Sequence, residues 1–178
     1  MARYVALLRA INVGGHVVKM ERLRALFEAL QLTNVETFIA SGNVLFDAAA
    51  RDASALERRI ERHLEAELGY EVATFLRTPA ELGALAALDP FGTVHETPPR
   101  KVYVTFLREP PPAAYVARIE SFHSDEDELK VIGREMWWAC RTSIVDSPFG
   151  KAKPDKTVVG TARSITTVRK LAAKAAPK

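Results

Sequence analysis

The sequence predicts an α+β protein made of two ferredoxin-like units, the second less regular than the first. Residues 3–76 alternate strand-like and helix-like segments in the order β-α-β-β-α-β, which is the order of a ferredoxin-like unit. A second series after residue 100 begins with the same β-α-β-β order. The length of 178 residues suits one domain or two small ones packed together.

The first unit is predicted over residues 1–78. Its expected elements are a strand at 3–9, a helix at 19–30, strands at 35–40 and 44–47, a helix at 54–68 and a strand at 72–76. Apolar residues recur at helical spacing in both helices. Ser54 followed by Glu57 has the spacing of a capping box, which predicts the start of the second helix. Ser41-Gly42-Asn43 is typical of a hairpin turn, because Gly and Asn tolerate positive φ.

The second unit is predicted over residues 79–178, with a helix and loop as linker at 79–99 and a basic C-terminal helix. Its expected elements are a strand at 101–107, a proline-led helix at 111–122, strands at 129–132 and 135–140, an irregular stretch at 142–156 and a helix at 165–176. Trp137 and Trp138 are consecutive on a strand, so their side chains face opposite sides of the sheet. Either both faces are covered, or one tryptophan stacks on a base or a partner. No residue-level repeat links the two series.

Composition limits the class of protein. The chain is 48% hydrophobic and 26% charged, which are ordinary values for a globular protein with a buried core. No apolar run approaches the roughly 18 residues of a membrane span, and strand-like sequence from the N-terminus predicts no signal peptide. The single cysteine, Cys140, excludes an internal disulfide, and its apolar neighbours predict a buried thiol. These features predict a cytoplasmic protein without a membrane partner.

Charge is unevenly distributed along the chain. Residues 151–178 carry a net charge of +7, whereas the whole chain carries +3, so residues 1–150 carry about −4. A basic tail on an acidic body can contact nucleic acid or another anionic ligand. The alternatives are a solvated terminus and a tail paired with the acidic run at 125–128. That run lacks the ligand spacing of a calcium loop, which favours a solvated loop.

The predicted topology brings two glycine-containing loops together. A right-handed crossover makes the first two strands parallel, so the loop after the first strand and the turn at 41–43 lie at one end of the sheet. Backbone N–H groups near glycines and a helix N-terminus favour an anion there. The spacing of a P-loop is absent, so the alternative is that the glycines only supply backbone freedom. The residues expected to meet are Arg9, Asn12, Gly14, Gly15, His16, Ser41, Gly42 and Asn43.

No catalytic constellation is visible in the sequence. The four histidines have no metal-binding spacing, so neither a metal site nor a cofactor is predicted. Ser41 lacks the Gly-x-Ser-x-Gly motif of hydrolases. His16 lies within the candidate anion site, where a plain loop role is favoured over that of a proton carrier. The sequence therefore nominates no catalytic residue and favours a binding protein over an enzyme.

The clearest family signal lies in four segments, YVALLRAINVGG, KMERLRALFEAL, VETFIASGNVLFD and TARSITTVRKL. They resemble the bacterial domain-of-unknown-function family 1697, closely over residues 3–47 and again at 161–171. The resemblance implies two ferredoxin-like units but no reaction. The positions that it marks are Arg9, Asn12, Gly14, Gly15, Ser41, Gly42, Asn43, Arg163 and Thr167.

The chain departs from the pattern of this family at three places. Ala10 stands where the family usually has the glycine of Arg-Gly-Ile-Asn-Val-Gly-Gly. Ser164 and Ile165 stand where Asn and Trp are expected, and the helix before them is shortened to residues 148–154. If the tryptophan stacks on a ligand in relatives, this chain has lost that contact beside Arg163.

Together the residues and the resemblance predict binding of an anionic ligand at the end of the first sheet. The ligand would be a nucleotide, a phosphate-bearing metabolite or RNA, held by the nine marked positions. One alternative is an enzyme acting on a phosphorylated small molecule, with Arg9 and Arg163 stabilising charge. Another is a protein-interaction module without a small ligand. The aromatic strand pattern of RNA-recognition folds is absent, and nothing in the sequence indicates a homo-oligomer.

Overall fold

The structure, a computed structural model, describes residues 1–40, 42–50, 52–153 and 155–177. The chain divides into two compact units, Met1–Ala84 with Arg169–Lys178 and Leu85–Val168. Within the described residues, the chain forms two four-stranded antiparallel sheets and six α-helices. The predicted mixed α+β class is therefore confirmed, whereas the domain limits at 1–78 and 79–178 stay a prediction.

The first unit follows the predicted β-α-β-β-α-β order. Its elements are β1 (Ala2–Leu8), α1 (Met20–Ala29), β2 (Thr33–Thr37), β3 (Asn43–Ala48), α2 (Ala53–Leu68) and β4 (Thr74–Arg77). The strands lie in the order β2-β3-β1-β4, and β1 pairs antiparallel with both β3 and β4. Because β2 is also antiparallel to β3, β1 and β2 run in the same direction, as the crossover rule requires.

Both helices of this unit pack on one face of its sheet. The apolar residues of α1 and α2 recur at helical spacing, and Leu23, Phe27, Ile60 and Leu64 are fully buried. They share a core with alternate residues of β1 and β3, including Phe46, whose ring centroid lies 5.4 Å from that of Phe27. Burying one such side chain contributes about 1.5–3 kcal/mol, so this layer contributes a large part of the unit's stability.

The start of α2 differs from the capping box predicted at Ser54. Asp52 is the N-cap, and its Oδ1 accepts hydrogen bonds from the N–H groups of Ser54 at 2.9 Å and Ala55 at 3.1 Å. Glu57 is instead buried, and its carboxylate accepts the N–H of Leu76 at 2.8 Å. The prediction was wrong because Asp and Ser are both good caps, and a contact with β4 directs Glu57 away from the helix start.

Two carboxylates of α2 cover the outer edge of β4. This strand lies at the edge of the sheet, so alternate N–H groups point away from β1. Glu57 accepts the N–H of Leu76, and Glu61 accepts the N–H of Thr74 at 2.9 Å. The spacings match, since four helical residues rise about 6 Å and two strand residues about 6.6 Å. The carboxylates thereby protect an edge that another strand would otherwise pair with.

The second unit repeats this strand order. After α3 (Pro79–Ala87) come β5 (Lys101–Leu107), α4 (Ala113–Glu120), β6 (Asp127–Ile132), β7 (Glu135–Cys140), α5 (Pro148–Lys151), β8 (Gly160–Ser164) and α6 (Ile165–Ala175). The residues of α6 from Arg169 onward belong to the first unit. The strands lie in the order β6-β7-β5-β8, and each pair is antiparallel. β8 was not predicted, because Gly-Thr-Ala-Arg-Ser has no run of β-branched or aromatic residues; its pairing with β5 makes it a strand.

Both tryptophans of β7 are buried, with 0% of Trp137 and 8% of Trp138 exposed, so both sides of this strand are covered. Asp127 is 1% exposed. Its Oδ1 accepts the indole N–H of Trp138 at 2.7 Å, and its Oδ2 accepts the N–H of Phe149 at 2.9 Å. The predicted solvated loop at 125–128 was therefore wrong for Asp127. Cys140 is buried, as predicted.

The acidic run and the basic tail have different partners in the described part of the chain. Glu128 accepts a hydrogen bond from Arg100 at 2.8 Å, and Arg100 also binds Glu96 at 2.8 Å, which fixes the predicted loop at 89–99. In the tail, Lys174 lies 2.7 Å from Glu36 of β2. The described ion pairs therefore do not support pairing between tail and acidic run. No helix in the described ranges is both long and apolar enough to span a bilayer.

Candidate functional site

Three loops meet at one end of the first sheet. The N–H of Leu8 donates to the carbonyl of Gly42 at 2.8 Å, and the N–H of Arg9 donates to the carbonyl of Ala73 at 2.9 Å. We call this region the loop end, which is formed by residues 9–19, 38–40, 42–43 and 69–73. The topology predicted the first two loops. The third was missed, although β4 must begin beside the end of β1 once these strands pair antiparallel.

Gly14 and Gly15 form a tight turn. Their φ angles are +62° and +89°, and the N–H of His16 donates to the carbonyl of Val13 at 3.1 Å. Positive φ at both central residues is the geometry of a type I′ turn, which glycine adopts without strain. A Cβ atom on either glycine would meet nothing within 4 Å. The glycines therefore supply backbone freedom, and the space around them is open to a ligand.

Asn12 joins the glycine loop to the turn before β3. Its side-chain amide donates to the carbonyl of Ala40 at 2.8 Å, and its Oδ1 accepts the N–H of Val18 at 2.7 Å. Asn12 itself has a φ of +56°, a conformation that asparagine tolerates better than most residues. These hydrogen bonds give Asn12 a structural role, because they connect the two loops. Contact between Asn12 and a ligand stays a prediction.

The turn before β3 is longer than the predicted tripeptide 41–43. Asn43 begins β3, is fully buried, and donates from its amide to the carbonyl of Phe38 at 3.0 Å. Gly42 has a φ of +78°, and a Cβ atom there would lie 3.0 Å from the Cβ of Ile11. Gly42 and Asn43 thus have structural reasons to be glycine and asparagine. The predicted site residue Ser41 lies outside the described residues.

The loop end carries positive charge. The side chain of Arg9 is exposed, and within the described residues it has no hydrogen-bond or ion-pair partner. His16 and Lys19 are also exposed. Lys19 is the N-cap of α1, and its side chain does not cap the N–H groups of the first turn of this helix. Cationic side chains and uncapped N–H groups are the features that bind anions at helix N-termini.

A cleft of about 410 Å³ lies beside the glycine turn, lined by residues 15–18, Arg22 and residues 67–70. The imidazole of His16 stacks on the ring of Tyr70, with centroids 3.7 Å apart and planes 24° apart. Arg22 donates to the main-chain carbonyl of Glu67 at 3.0 Å, which places a cation at the C-terminal end of α2. Sequence reasoning missed this cleft, because its two walls are far apart in the chain and Tyr70 carries no motif.

Of the two predicted site residues of the second unit, Arg163 lies near the end of β8 and Thr167 in the first turn of α6. Arg163 is 8% exposed and donates to Thr161 Oγ1 at 2.9 Å and to the carbonyl of Ala162 at 2.8 Å. Burial lowers the pKa of Arg163 to about 10, which leaves the guanidinium protonated at neutral pH. The N–H of Thr167 donates to Ser164 Oγ at 3.2 Å, so Thr167 lies in the capped first turn of the helix.

Charge and hydrogen bonding are the chemistry that the described residues offer at the loop end. No three His, Cys, Asp or Glu residues in the described ranges are placed to hold a metal ion. The Arg9 guanidinium, the nearby Lys19 and main-chain N–H groups are hydrogen-bond donors, and donors of this kind suit an anion; anion binding itself stays a prediction.

The model of a family described as protein of unknown function, DUF1697, matches residues 1–137. The chain belongs to the DUF1697 family. Among solved structures, the conserved bacterial protein SP0830 from Streptococcus pneumoniae is similar in fold, with a TM-score of 0.76. The two are 22% identical, and the match covers 98% of each chain. No curated protein is significantly similar to this DUF1697 chain.

The two units of the DUF1697 protein share one residue pattern that the sequence analysis did not find. Arg77 of β4 lies opposite Val5 of β1, and Arg163 of β8 lies opposite Val104 of β5. Both arginines are buried, and each precedes a hydroxyl residue whose Oγ accepts an N–H from the following helix. Corresponding strand positions thus carry corresponding residues. Arg163 therefore matches a structural arginine of the first unit, which explains its burial better than ligand binding does.

Replacing Ala10 with glycine is expected to raise the melting temperature. Ala10 has a φ of +64°, and the left-handed region costs a non-glycine residue about 1–2 kcal/mol. A gain of about 1 kcal/mol corresponds to roughly 2–4 °C for a chain of this size. The control is Ala25→Gly in the middle of α1, which should lower stability by about 1 kcal/mol. Thermal denaturation of both variants measures these changes. A melting temperature of Ala10→Gly below that of the wild type would contradict the view that backbone strain explains why the family usually has glycine at this position.

Proposed function

We propose that the loop end of the first unit binds an anionic ligand that bears a phosphate or similar oxyanion. The main observation in support of this proposal is the exposed side chain of Arg9. Its guanidinium is exposed at the junction of the three loops, and the described residues offer it no carboxylate partner. A guanidinium can bind an oxyanion through two parallel hydrogen bonds, which makes arginine well suited to phosphate.

The N-terminus of α1 supports the same proposal. The topology places this helix start at the loop end, because α1 follows β1 and leads back to the parallel strand β2. Lys19 stands at its N-cap position, and the side chain of Lys19 does not cap the first-turn N–H groups. The partial positive charge of a helix N-terminus stabilises a nearby anion by about 0.3–1 kcal/mol at an exposed site.

A protein-interaction surface is the second candidate function, because aliphatic side chains are exposed at the same end. Val13 is 56% exposed, Val17 85% and Ile39 51%. Exposed apolar side chains beside cations fit an acidic protein segment as well as a small anion. Titration with small oxyanions separates the two candidates, because a surface that needs a protein partner will not bind them.

Arg9→Ala is expected to weaken binding of inorganic phosphate or pyrophosphate about ten- to a hundredfold. The reason is that a hydrogen bond to a charged group contributes roughly 1.5–3 kcal/mol. Isothermal titration calorimetry at about 0.1 M salt, where the Debye length is about 10 Å, measures the dissociation constants of wild type and variant. The melting temperature should change little, because Arg9 forms no described side-chain contact.

The matched control is Arg58→Ala. Arg58 is an exposed arginine of the same unit and lies about 15 Å along α2 from its end at the loop end. Removing it changes the net charge equally but should leave phosphate affinity within about twofold, because surface charges at this distance are screened. Equal losses in the two variants would show non-specific attraction. Absence of phosphate and pyrophosphate binding by the wild type would contradict the proposed function.

We also propose that each unit is ferredoxin-like, which the equivalent strand orders β2-β3-β1-β4 and β6-β7-β5-β8 support. In both, the first strand of the unit is central and pairs with the third and fourth strands. Nucleic acid remains within the proposed class of anionic partners, and the cytoplasmic location stays a prediction.

A further inference from the structure

We infer that the anion at the loop end is a nucleotide, whose base stacks on His16 and whose phosphate lies toward Arg9. This inference rests on the proposed function and names its ligand class. It starts from the stacked pair His16 and Tyr70, which sequence reasoning did not connect.

His16 offers one ring face to a ligand. Tyr70 covers the other face, with the ring centroids 3.7 Å apart. The His16 side chain is nevertheless exposed, so its outer face meets solvent. Histidine and tyrosine rings are platforms on which nucleic acid bases stack, and a ring already held by a neighbour loses little freedom when a base joins the stack.

The cleft has the size for a base. Its volume of about 410 Å³ falls within the usual range for small-molecule sites, about 300–1,000 Å³. Tyr70 forms part of its wall and supports the imidazole of His16 from the face that a base does not use.

Charge separates the base position from the phosphate position. Inside the cleft, Glu67 and the C-terminal end of α2 offset the positive charge of Arg22, so the cleft favours a phosphate less than Arg9 does. Arg9 lies outside the cleft, beside Ala73, and the three residues from Tyr70 to Ala73 span at most about 11 Å. A ligand with a neutral aromatic ring joined to an anionic group matches this division. A simple sugar phosphate uses only the Arg9 part.

Calorimetric titration with adenosine monophosphate, ribose 5-phosphate and inorganic phosphate tests the inference. The wild type should bind adenosine monophosphate at least about tenfold more tightly than ribose 5-phosphate, as expected for one stacked base. The His16→Ala variant should bind adenosine monophosphate only as tightly as it binds ribose 5-phosphate. His16→Phe should retain the preference, since it keeps a ring on Tyr70. Arg9→Ala should weaken both ligands.

The outcomes separate the inference from the proposed function. Equal affinity of the wild type for adenosine monophosphate and ribose 5-phosphate would overturn the nucleotide inference and leave anion binding intact. Failure of all three ligands to bind would overturn both. A second measurement needs only the wild type, so it does not depend on whether the variants fold. Nuclear Overhauser effects should be seen between protons of the base and protons of the His16 ring. Saturation with adenosine monophosphate without such contacts would also overturn the inference.

Discussion

Asp127→Ala is expected to lower the melting temperature of the second unit by on the order of 10 °C. The carboxylate is buried and accepts two hydrogen bonds, from the indole N–H of Trp138 at 2.7 Å and from the main-chain N–H of Phe149 at 2.9 Å. Alanine leaves both donors without their acceptor, at a cost of about 3–5 kcal/mol in total. For a chain of this size, each kcal/mol corresponds to roughly 2–4 °C. Differential scanning calorimetry measures the change.

Asp125→Ala is the matched control, because Asp125 belongs to the same acidic run but is exposed. It should change stability by no more than about 0.5 kcal/mol. Asp127→Asn should fall between the two, since the amide keeps one acceptor oxygen but loses the charge. If Asp125→Ala and Asp127→Ala lower the melting temperature equally, the stabilisation comes from the charge of the run rather than from the two buried hydrogen bonds.

Elements set by their own sequence pattern were predictable. The bounds of β5 and β7 agree with the prediction at Lys101–Leu107 and Glu135–Cys140. In β5, exposed and buried residues alternate at the start of the strand, which is the pattern of a strand that faces two environments. Both strands consist largely of β-branched, aromatic and other apolar residues that suit a pleated sheet. Local chemistry was sufficient there.

Elements set by distant partners were not predictable from local pattern. β8 is a strand because it pairs with β5, and its own residues Gly160 to Ser164 have weak strand preference. The capping box failed for the same reason, since Glu57 binds the N–H of Leu76 on another element. Such contacts depend on tertiary structure, which a window of sequence does not contain.

The candidate site shows the same division. Topology predicted that the glycine loop and the turn before β3 would meet, and the hydrogen bond from Asn12 to Ala40 joins them. The residue types predicted that these side chains form hydrogen bonds. They did not predict whether the partner is a ligand or a main-chain carbonyl of the protein. Asn12, Asn43 and Arg163 each donate to main-chain carbonyls. Arg9, whose side chain has no described partner, keeps the strongest case for a ligand.

Gly42→Ala is expected to destabilise the protein by about 2–5 kcal/mol, and Gly14→Ala by only about 1–2 kcal/mol. Both glycines have positive φ, +78° and +62°, so both substitutions introduce backbone strain. The two positions differ in the space available for an added Cβ atom. A Cβ atom at Gly42 would lie 3.0 Å from the Cβ of Ile11 and 3.1 Å from the Cβ of Leu8, whereas at Gly14 it would meet nothing within 4 Å. Thermal and urea denaturation measure the two losses.

The difference between these variants reports what the Gly42 position does for the loop end. The Cβ atoms of Leu8 and Ile11 are fixed to the backbone, so an added methyl group at Gly42 must move the glycine loop or the turn. The hydrogen bond between Leu8 N–H and the Gly42 carbonyl, 2.8 Å long, should weaken, and so should any anion binding that depends on Arg9 next to it. Gly14→Ala should leave phosphate affinity near that of the wild type. Equal destabilisation by the two substitutions would show that backbone strain, rather than close packing of the two loops, requires glycine at position 42.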